Sequence, residues 1–328
     1  MSYNPTNMYD LEPHIAEIYD QSEMYRDDVD LLVSLMNSGN FGVLGRGGSR
    51  TRPYTTPNAE ISGAYPKGGY AAELRSGDDR SGYLRILEPF CGTGRILIPL
   101  AQAGHTLVGL DQAGGMLNRA RQKLVRSSPV VQSRVTLCQA DVITTEWPSG
   151  FDLVILGGNC LYELATLEEQ EYVIRSAAAS LKPGGYVYVD NDHMEGALDP
   201  SWQQAGVKPG FPTGTCADGT QVESTTETIW FDVHARLAKF HRTTRIGFPG
   251  SDGTGGLRLP DHVLGTSGKG FEVEYIQQKH PVSKGEVQTW LERYGFFIEK
   301  TFGNRAGIPY APASERAIFW ARKKAAQV

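Results

Sequence analysis

Eight residues, Glu88-Pro89-Phe90-Cys91-Gly92-Thr93-Gly94-Arg95, leave an apolar run and enter a helical pattern at Ile96. A glycine turn lets a ligand approach the backbone closely, and the helix behind it offers N–H groups with no partner inside the helix. The dinucleotide fingerprint would place Gly or Ala three residues beyond Gly94; Leu97 stands there, which argues against a nicotinamide enzyme. The G-x-x-x-x-G-K-[ST] phosphate loop is absent as well. Asp111 closes the next apolar run, Val108-Gly109-Leu110-Asp111. A carboxylate at that strand tip is placed to accept hydrogen bonds from two ribose hydroxyls. Asp141, in Gln139-Ala140-Asp141-Val142, ends the third run, where it could accept from the exocyclic amine of an adenine. Singly, each acid reads as a turn or cap former. In this order on consecutive strands they describe a nucleoside site.

A second group follows the fifth apolar run, at Asp190-Asn191-Asp192-His193-Met194-Glu195. Acids after a strand are commonly solvated turn formers, which is the plain reading of Asp192 and Glu195. Asp190 is better placed for chemistry, since ligands bind at the carboxyl ends of strands. His193 could act as a general base or be an ordinary loop histidine. The remaining histidines lack metal-ligand spacing, so no metal is expected. Tyr19, Tyr25, Tyr162 and Trp202 pack by default as amphipathic aromatics. Their functional alternative is a set of π faces around a sulfonium or ammonium, with Tyr19 and Tyr162 the stronger candidates.

These residues need a frame to position them. Apolar, β-rich runs at Tyr83–Leu87, Thr106–Leu110, Val135–Gln139, Phe151–Leu156 and Tyr186–Val189 alternate with helical patterns near Ile96–Ala103, Gly115–Val125 and Glu168–Leu181. Strands apolar on both sides and separated by helices predict a doubly wound α/β core on a parallel sheet. Capping boxes are expected at Thr166/Glu169 and Ser283/Glu286. The second opens a helix stopped by Gly295 and followed by closing strands at Phe296–Thr301 and Ala317–Arg322, so the sheet has seven strands. Thr220–His234, Arg236–Ile246 and Phe271–Gln277 predict a small antiparallel sheet inserted into this core.

The expected organisation is an N-terminal helical segment over 1–38, a Gly-rich loop or lid over 39–82, a cofactor-binding core over 83–190, an antiparallel substrate cap over 191–280, and closing elements over 281–328. Ten of the chain's 38 glycines fall within 39–82, a composition that cannot bury a hydrophobic face. The chain has 328 residues, 40% hydrophobic and 21% charged, with a formal net charge of −5. That negative balance argues against a general nucleic-acid binder. Four scattered cysteines without a C-x-x-C pair read as reduced thiols, which with an N-terminus lacking a basic and apolar leader predicts a cytoplasmic protein. The longest apolar run, near Leu153–Gly158, is far short of the ~20 residues of a membrane span. A soluble protein acting on a small molecule is expected, with no nucleic-acid or membrane partner and the oligomeric state left open.

Leu87-Glu-Pro-Phe-Cys-Gly-Thr-Gly-Arg, Gly109-Leu-Asp-Gln-Ala-Gly-Gly-Met-Leu, Ala140-Asp-Val and Leu181-Lys-Pro-Gly-Gly resemble the ordered motifs of class I S-adenosylmethionine-dependent methyltransferases. The resemblance covers about residues 83–190 and implies a Rossmann-like methyltransferase fold with S-adenosylmethionine as cofactor. It implies that Glu88, Pro89, Gly92, Thr93, Gly94 and Arg95 line the cofactor turn, with Gly92 and Gly94 facing the methionine end. It places Asp111 on the ribose, Asp141 and Val142 on the adenine, and Gln112 and Met116 beside the adenosine. Ala113 stands where the family often has Ser.

Ile155-Leu-Gly-Gly-Asn-Cys-Leu-Tyr-Glu-Leu164 resembles the strand-four tip of glycine and sarcosine N-methyltransferases, which implies roles for Gly158 and Asn159 at the cofactor and Tyr162 at the substrate. Tyr19-Asp20 followed by Tyr25 resembles the N-terminal helix of these and of sugar N-methyltransferases. Glycine methyltransferases carry an Arg shortly after strand five; the run here has three acids and none, which implies a cationic or hydroxylated acceptor held by Asp190 and Asp192, with Trp202 nearby. Asp190-Asn191 also resembles the pair of metal-dependent catechol-type O-methyltransferases, but Gly157-Gly158-Asn159 replaces their preceding acid. The implied function is methyl transfer to a small polar acceptor, an amine nitrogen first. O-methylation, or adenosyl binding without catalysis, is the alternative. Asp190, His193 and Tyr19 are the catalytic candidates.

Overall fold

The computed structural model describes residues 13–22, 27–38, 83–192, 195, 197–249, 257–258 and 271–325. The proposed lid over 39–82, Tyr25 and His193 lie outside them. The N-terminal helical pattern is two helices, α1 (Pro13–Ser22) and α2 (Asp27–Ser38). Then follow β1 (Arg85–Glu88), α3 (Leu97–Gln102), β2 (Thr106–Asp111), α4 (Gly114–Val125), the single turn α5 (Pro129–Gln132), β3 (Val135–Gln139) and β4 (Phe151–Leu156). A 3₁₀ turn at Cys160–Glu163 leads to α6 (Leu167–Ser180) and β5 (Leu181–Asp192). The core closes with α7 (Lys284–Arg293), β12 (Phe296–Phe302) and β13 (Arg316–Lys323).

These strands form one seven-stranded sheet in the order β12-β13-β5-β4-β1-β2-β3. Pairing is parallel from β5 to β3, and β13 runs antiparallel to both of its neighbours. The central strands bury both faces. Ile86, Leu153, Ile155, Tyr186, Tyr188, Ile318 and Trp320 pack with α2, α3 and α4. Leu87, Val154, Leu156, Val187, Val189 and Phe319 pack with α6 and α7 on the other side. Period-two alternation therefore carries no polar signal here, because apolar side chains point both ways. The tyrosine rings of β5 supply bulk as well as edge polarity: Tyr186 stacks on Trp320 at 4.7 Å.

Both expected capping boxes form, Thr166 with Glu169 and Ser283 with Glu286. Gly295 follows α7 at φ +81°, the left-handed conformation that ends a helix.

Between β5 and α7 the chain builds the second sheet. Its long strands are β8 (Gln221–Asp232), β9 (Leu237–Pro249) and β11 (Phe271–Lys279), all antiparallel. Short strands β6 (Val207–Pro209), β7 (Gly214–Thr215) and β10 (Leu257–Arg258) complete it. Val222 and Ile246 on its inward face meet Ile15 and Ile18 of α1 and Cys216. Among the described residues, no helix is long and apolar enough to cross a membrane.

Candidate functional site

The glycine turn forms at the carboxyl end of β1. Gly92 and Gly94 take φ +51° and +74°, a region that disfavours any side chain. The turn is held to β2 by Cys91 N–H donating to the Leu110 carbonyl at 3.0 Å. Asp111 then does two things at once. One carboxylate oxygen accepts from Gly92 N–H at 2.8 Å, and the other accepts from Ala113 N–H at 2.8 Å. A carboxylate has about four acceptor positions, so one held this way still has capacity for two hydroxyls.

Met116 is buried with Ala113 and with Ala16 of α1, and Tyr19 packs against this group. A Cβ on Gly92 would lie 3.5 Å from Met116 Cε. Asp141, two residues beyond β3, is exposed to solvent, with one oxygen accepting from Ile143 N–H at 2.8 Å. Beside it Val142 is buried, and its carbonyl accepts from the Trp147 indole at 2.9 Å. Gln112 is exposed between the two acids.

Glu88 is buried at the base of the turn, next to buried Pro89. One carboxylate oxygen of Glu88 has no hydrogen-bond partner. Burial pushes its carboxyl up to about 8, Asp28 and Asp111 add to the rise, and Arg95 opposes it. Near neutral pH the proton stays on.

Two residues expected at the cofactor turn their side chains elsewhere. Thr93 donates to Asp20 of α1 at 2.5 Å, and Asp20 also accepts from Arg119 at 3.0 Å and Lys123 at 2.8 Å. Arg95 forms a two-pronged pair with fully buried Asp28 of α2 at 2.6 and 2.7 Å. Both N-terminal helices are thereby tied to the turn. Only the backbone of Thr93 and Arg95 remains for a ligand.

The acids at the end of β5 are also committed. Asp190 is fully buried and accepts from Arg316 at 2.6 Å and from Arg305 at 2.9 Å. Asp192 pairs with Arg316, which stands directly opposite it on β13. Asn159, at φ +62° in the tip after β4, accepts from Asp192 N–H and donates to its carboxylate, both at 2.7 Å. Gly158 precedes it, exposed, at φ +65°. Tyr162 is buried and donates to the Asp192 carbonyl at 2.8 Å. Burial pushes the Tyr162 phenol far above its ordinary range.

Asp190 and Asp192, expected to hold a cationic or hydroxylated acceptor, are therefore paired acids in the folded chain. Arg305 and Arg316 come from the β12–β13 connection and the start of β13, more than 100 residues away, and balance Asp190 and Asp192. No local signal in 190–195 could reveal them.

Trp202 packs against Phe240, Leu198 and Ala238 as a satellite cluster of the second sheet. Tyr19 instead meets Phe211 edge-on at 5.9 Å. The contact joins α1 to the loop before β7, and Phe211 had no motif to mark it.

Residues 86–185 match the protein family described as "Methyltransferase domain". Among curated proteins, no sequence matches the chain. Among solved structures, it is similar to an S-adenosylmethionine-dependent methyltransferase from Clostridium acetobutylicum at 12% identity and TM-score 0.62, over 97% of this chain and 100% of that one. It is also similar to the CcbJ methyltransferase from Streptomyces caelestis at 19% identity and TM-score 0.51, over 74% of this chain and 84% of that one. The sugar N-methyltransferase KedS8 from a Streptoalloteichus species matches at 16% identity and TM-score 0.51, over 75% and 82% of the two chains.

The residues present fit S-adenosylmethionine. The Gly92 turn leaves a cradle without Cβ atoms, Asp111 presents a positioned carboxylate, and one buried oxygen of Glu88 has no partner among the described residues.

Proposed function

We propose that this chain, an S-adenosylmethionine-dependent methyltransferase of the class I fold, methylates an amine nitrogen on a small polar acceptor lying between the strand tips and the second sheet. When bound, the cofactor supplies an electrophilic methyl group on a sulfonium. The protein's share is alignment and exclusion of water. Asp111 orients the ribose, Gly92 and Gly94 admit the methionine end to the backbone, and Asp141 with Val142 borders the adenine. Tyr19, packed on Met116, closes one wall. Tyr162 and Asn159 hold the β4 and β5 tips in one arrangement, which sets the floor beneath the acceptor.

The observation that carries the preference for nitrogen is the pairing of Asp190 and Asp192 with Arg305 and Arg316. A hydroxyl acceptor needs a base, and a carboxylate held by a guanidinium is a poor one. A neutral amine already carries its lone pair. A bound cofactor would supply the methyl group to that lone pair, with its thioether as leaving group, and the proton of the product ammonium would be shed only after transfer. His193, the residue after Asp192, is the proposed proton acceptor. Asp190 and Asp192 position the site and do not touch the reacting atoms.

Two measurements test this reading. Asp111→Ala should weaken cofactor binding by about 100-fold or more by calorimetry, the cost of losing two charge-assisted hydrogen bonds. Unchanged affinity would remove the site assignment. A mass-spectrometric screen with labelled cofactor should then mark amines; label on phenols or carboxylates with none on amines would overturn the nitrogen preference.

A further inference from the structure

The inward face of the second sheet carries polar chemistry that the packing does not explain. On β9, the Arg242 guanidinium lies 5.7 Å over the Phe240 ring and donates from one terminal nitrogen to the Phe211 carbonyl at 3.2 Å. Its Nε is buried with no hydrogen-bond partner. Thr226 on β8 and Tyr275 on β11 are its cross-strand neighbours in register. The Thr226 hydroxyl is likewise buried without a partner. Tyr275 hydrogen-bonds Arg242, and burial raises its phenol to about 12. Two residues further along β11, the Gln277 amide donates to Glu163 at 3.0 Å while its carbonyl oxygen is buried and unpartnered.

Among the described residues, three buried polar atoms without a partner stand on adjacent strands of one face, and each costs about 1–3 kcal/mol when buried unmet. Their position is also bracketed. Arg242 touches the loop whose Phe211 meets Tyr19 at the cofactor wall. Gln277 touches Glu163 in the turn after β4. The cluster therefore lies above the carboxyl ends of the parallel strands, where ligands of such sheets bind. Its charge is unbalanced too. Glu163 is paired with Lys279, and among the described residues Arg242 has no carboxylate partner.

We propose that Arg242 and Thr226 form an oxyanion subsite for the acceptor, taking a carboxylate or a phosphate carried by the amine, while the Gln277 carbonyl accepts from a polar hydrogen of the same molecule. A guanidinium edge with an adjacent hydroxyl matches either oxyanion, and pairing there satisfies the one buried nitrogen, Nε, that the half-buried Arg242 leaves without a partner. The proposal rests on the methyltransferase reading and adds the acceptor's chemical class.

The test uses the full chain saturated with S-adenosylhomocysteine, with thermal denaturation followed in acetate, in inorganic phosphate and in chloride of equal ionic strength. Acetate or phosphate should raise Tm in the unaltered protein and in Arg245→Gln, whose side chain is exposed and paired with Glu272. The more effective anion identifies the group. In Arg242→Gln the apparent anion Kd should rise at least tenfold, and Thr226→Val should weaken binding several-fold. Should Arg242→Gln fail to fold, Arg242→Lys, which keeps the charge and loses the Nε donor, must show the same direction of change. Equal anion response in the unaltered protein and the Arg242 variant would overturn the subsite, and so would equal response to chloride, the sign of an adventitious ion only. Failure of the unaltered protein to bind S-adenosylhomocysteine would instead overturn the methyltransferase reading itself.

Discussion

Glu88 shows how one residue's environment turns a common side chain into a proton store. Burial beneath the glycine turn holds its carboxyl at about 8 against an ordinary 4.5. Between those values the folded chain keeps a proton that the unfolded chain has released, so stability falls as pH rises through the window, by up to ~1.4 kcal/mol per pH unit. Glu88→Gln keeps the neutral form at every pH. Chemical denaturation from pH 5 to 8 should give a flatter stability profile for this variant than for the unaltered protein; parallel profiles would show that Glu88 titrates normally. A cationic ligand beside Glu88 should lower its pKa, so cofactor binding at pH 7 is expected to release a proton. Calorimetry in buffers of different ionisation enthalpy reads that release directly.

At the scale of elements, the loop 210–213 places Phe211 and works only because residue 210 has no side chain. Gly210 N–H donates to the Ser224 carbonyl at 2.7 Å. A Cβ there would stand 2.8 Å from the Thr226 hydroxyl and 2.9 Å from the Thr225 carbonyl carbon. The second contact is backbone, which cannot rotate away. Gly210→Ala should therefore cost about 1–3 kcal/mol by denaturant unfolding, as overpacking does. It should also lift Phe211 from Tyr19 and Arg242, raising KM for the acceptor more than Kd for the cofactor. A variant with native stability would show that the loop relaxes at little cost. The elements themselves were largely legible. Thr166, Glu169, Ser283, Glu286 and Gly295 mark helix ends through local hydrogen bonds and backbone preference, which act within four residues. Strands β6, β7 and β10 were not foreseen, since two- and three-residue strands owe their pairing to β8 and β9.

At the scale of the whole molecule, α1 bridges the second sheet and the core. One side of this helix places Ile15 and Ile18 against Val222, Ile246 and Cys216 of the second sheet. Its Ala16 and Tyr19 cover Ala113 and Met116 of the core, and Asp20 anchors it to Thr93, Arg119 and Lys123. Its polar residues also bind the β7 region: Glu17 accepts from Ala217 N–H at 2.7 Å and Gln21 donates to the Thr215 carbonyl at 3.2 Å. Ile15→Ala should destabilise the fold by about 2–4 kcal/mol. Hydrogen exchange should quicken in β8 and β9, and cofactor affinity should drop although Ile15 touches no cofactor residue. Loss of protection confined to α1 would show that the two sheets are held together by other contacts.

The sequence by itself determined the order and type of the main elements and the glycine turn after β1. Apolar periodicity, capping and the strand-end positions of Glu88, Asp111 and Asp141 are written in short stretches of chain. The tertiary structure decided which charges are available. Asp190 and Asp192 read as free acids because nothing near them in sequence is basic, yet Arg305 and Arg316 reach them by folding back along an antiparallel strand. Thr93 and Arg95 stand in the glycine turn, where the sequence places them facing a ligand, yet their side chains are taken by Asp20 and Asp28. Arg242, Thr226 and Gln277 lie on three different strands or positions that no spacing rule links. Electrostatic interactions act through space at a few ångströms, so a residue's charge partner depends on which strands are neighbours, and that is settled only when the sheet closes.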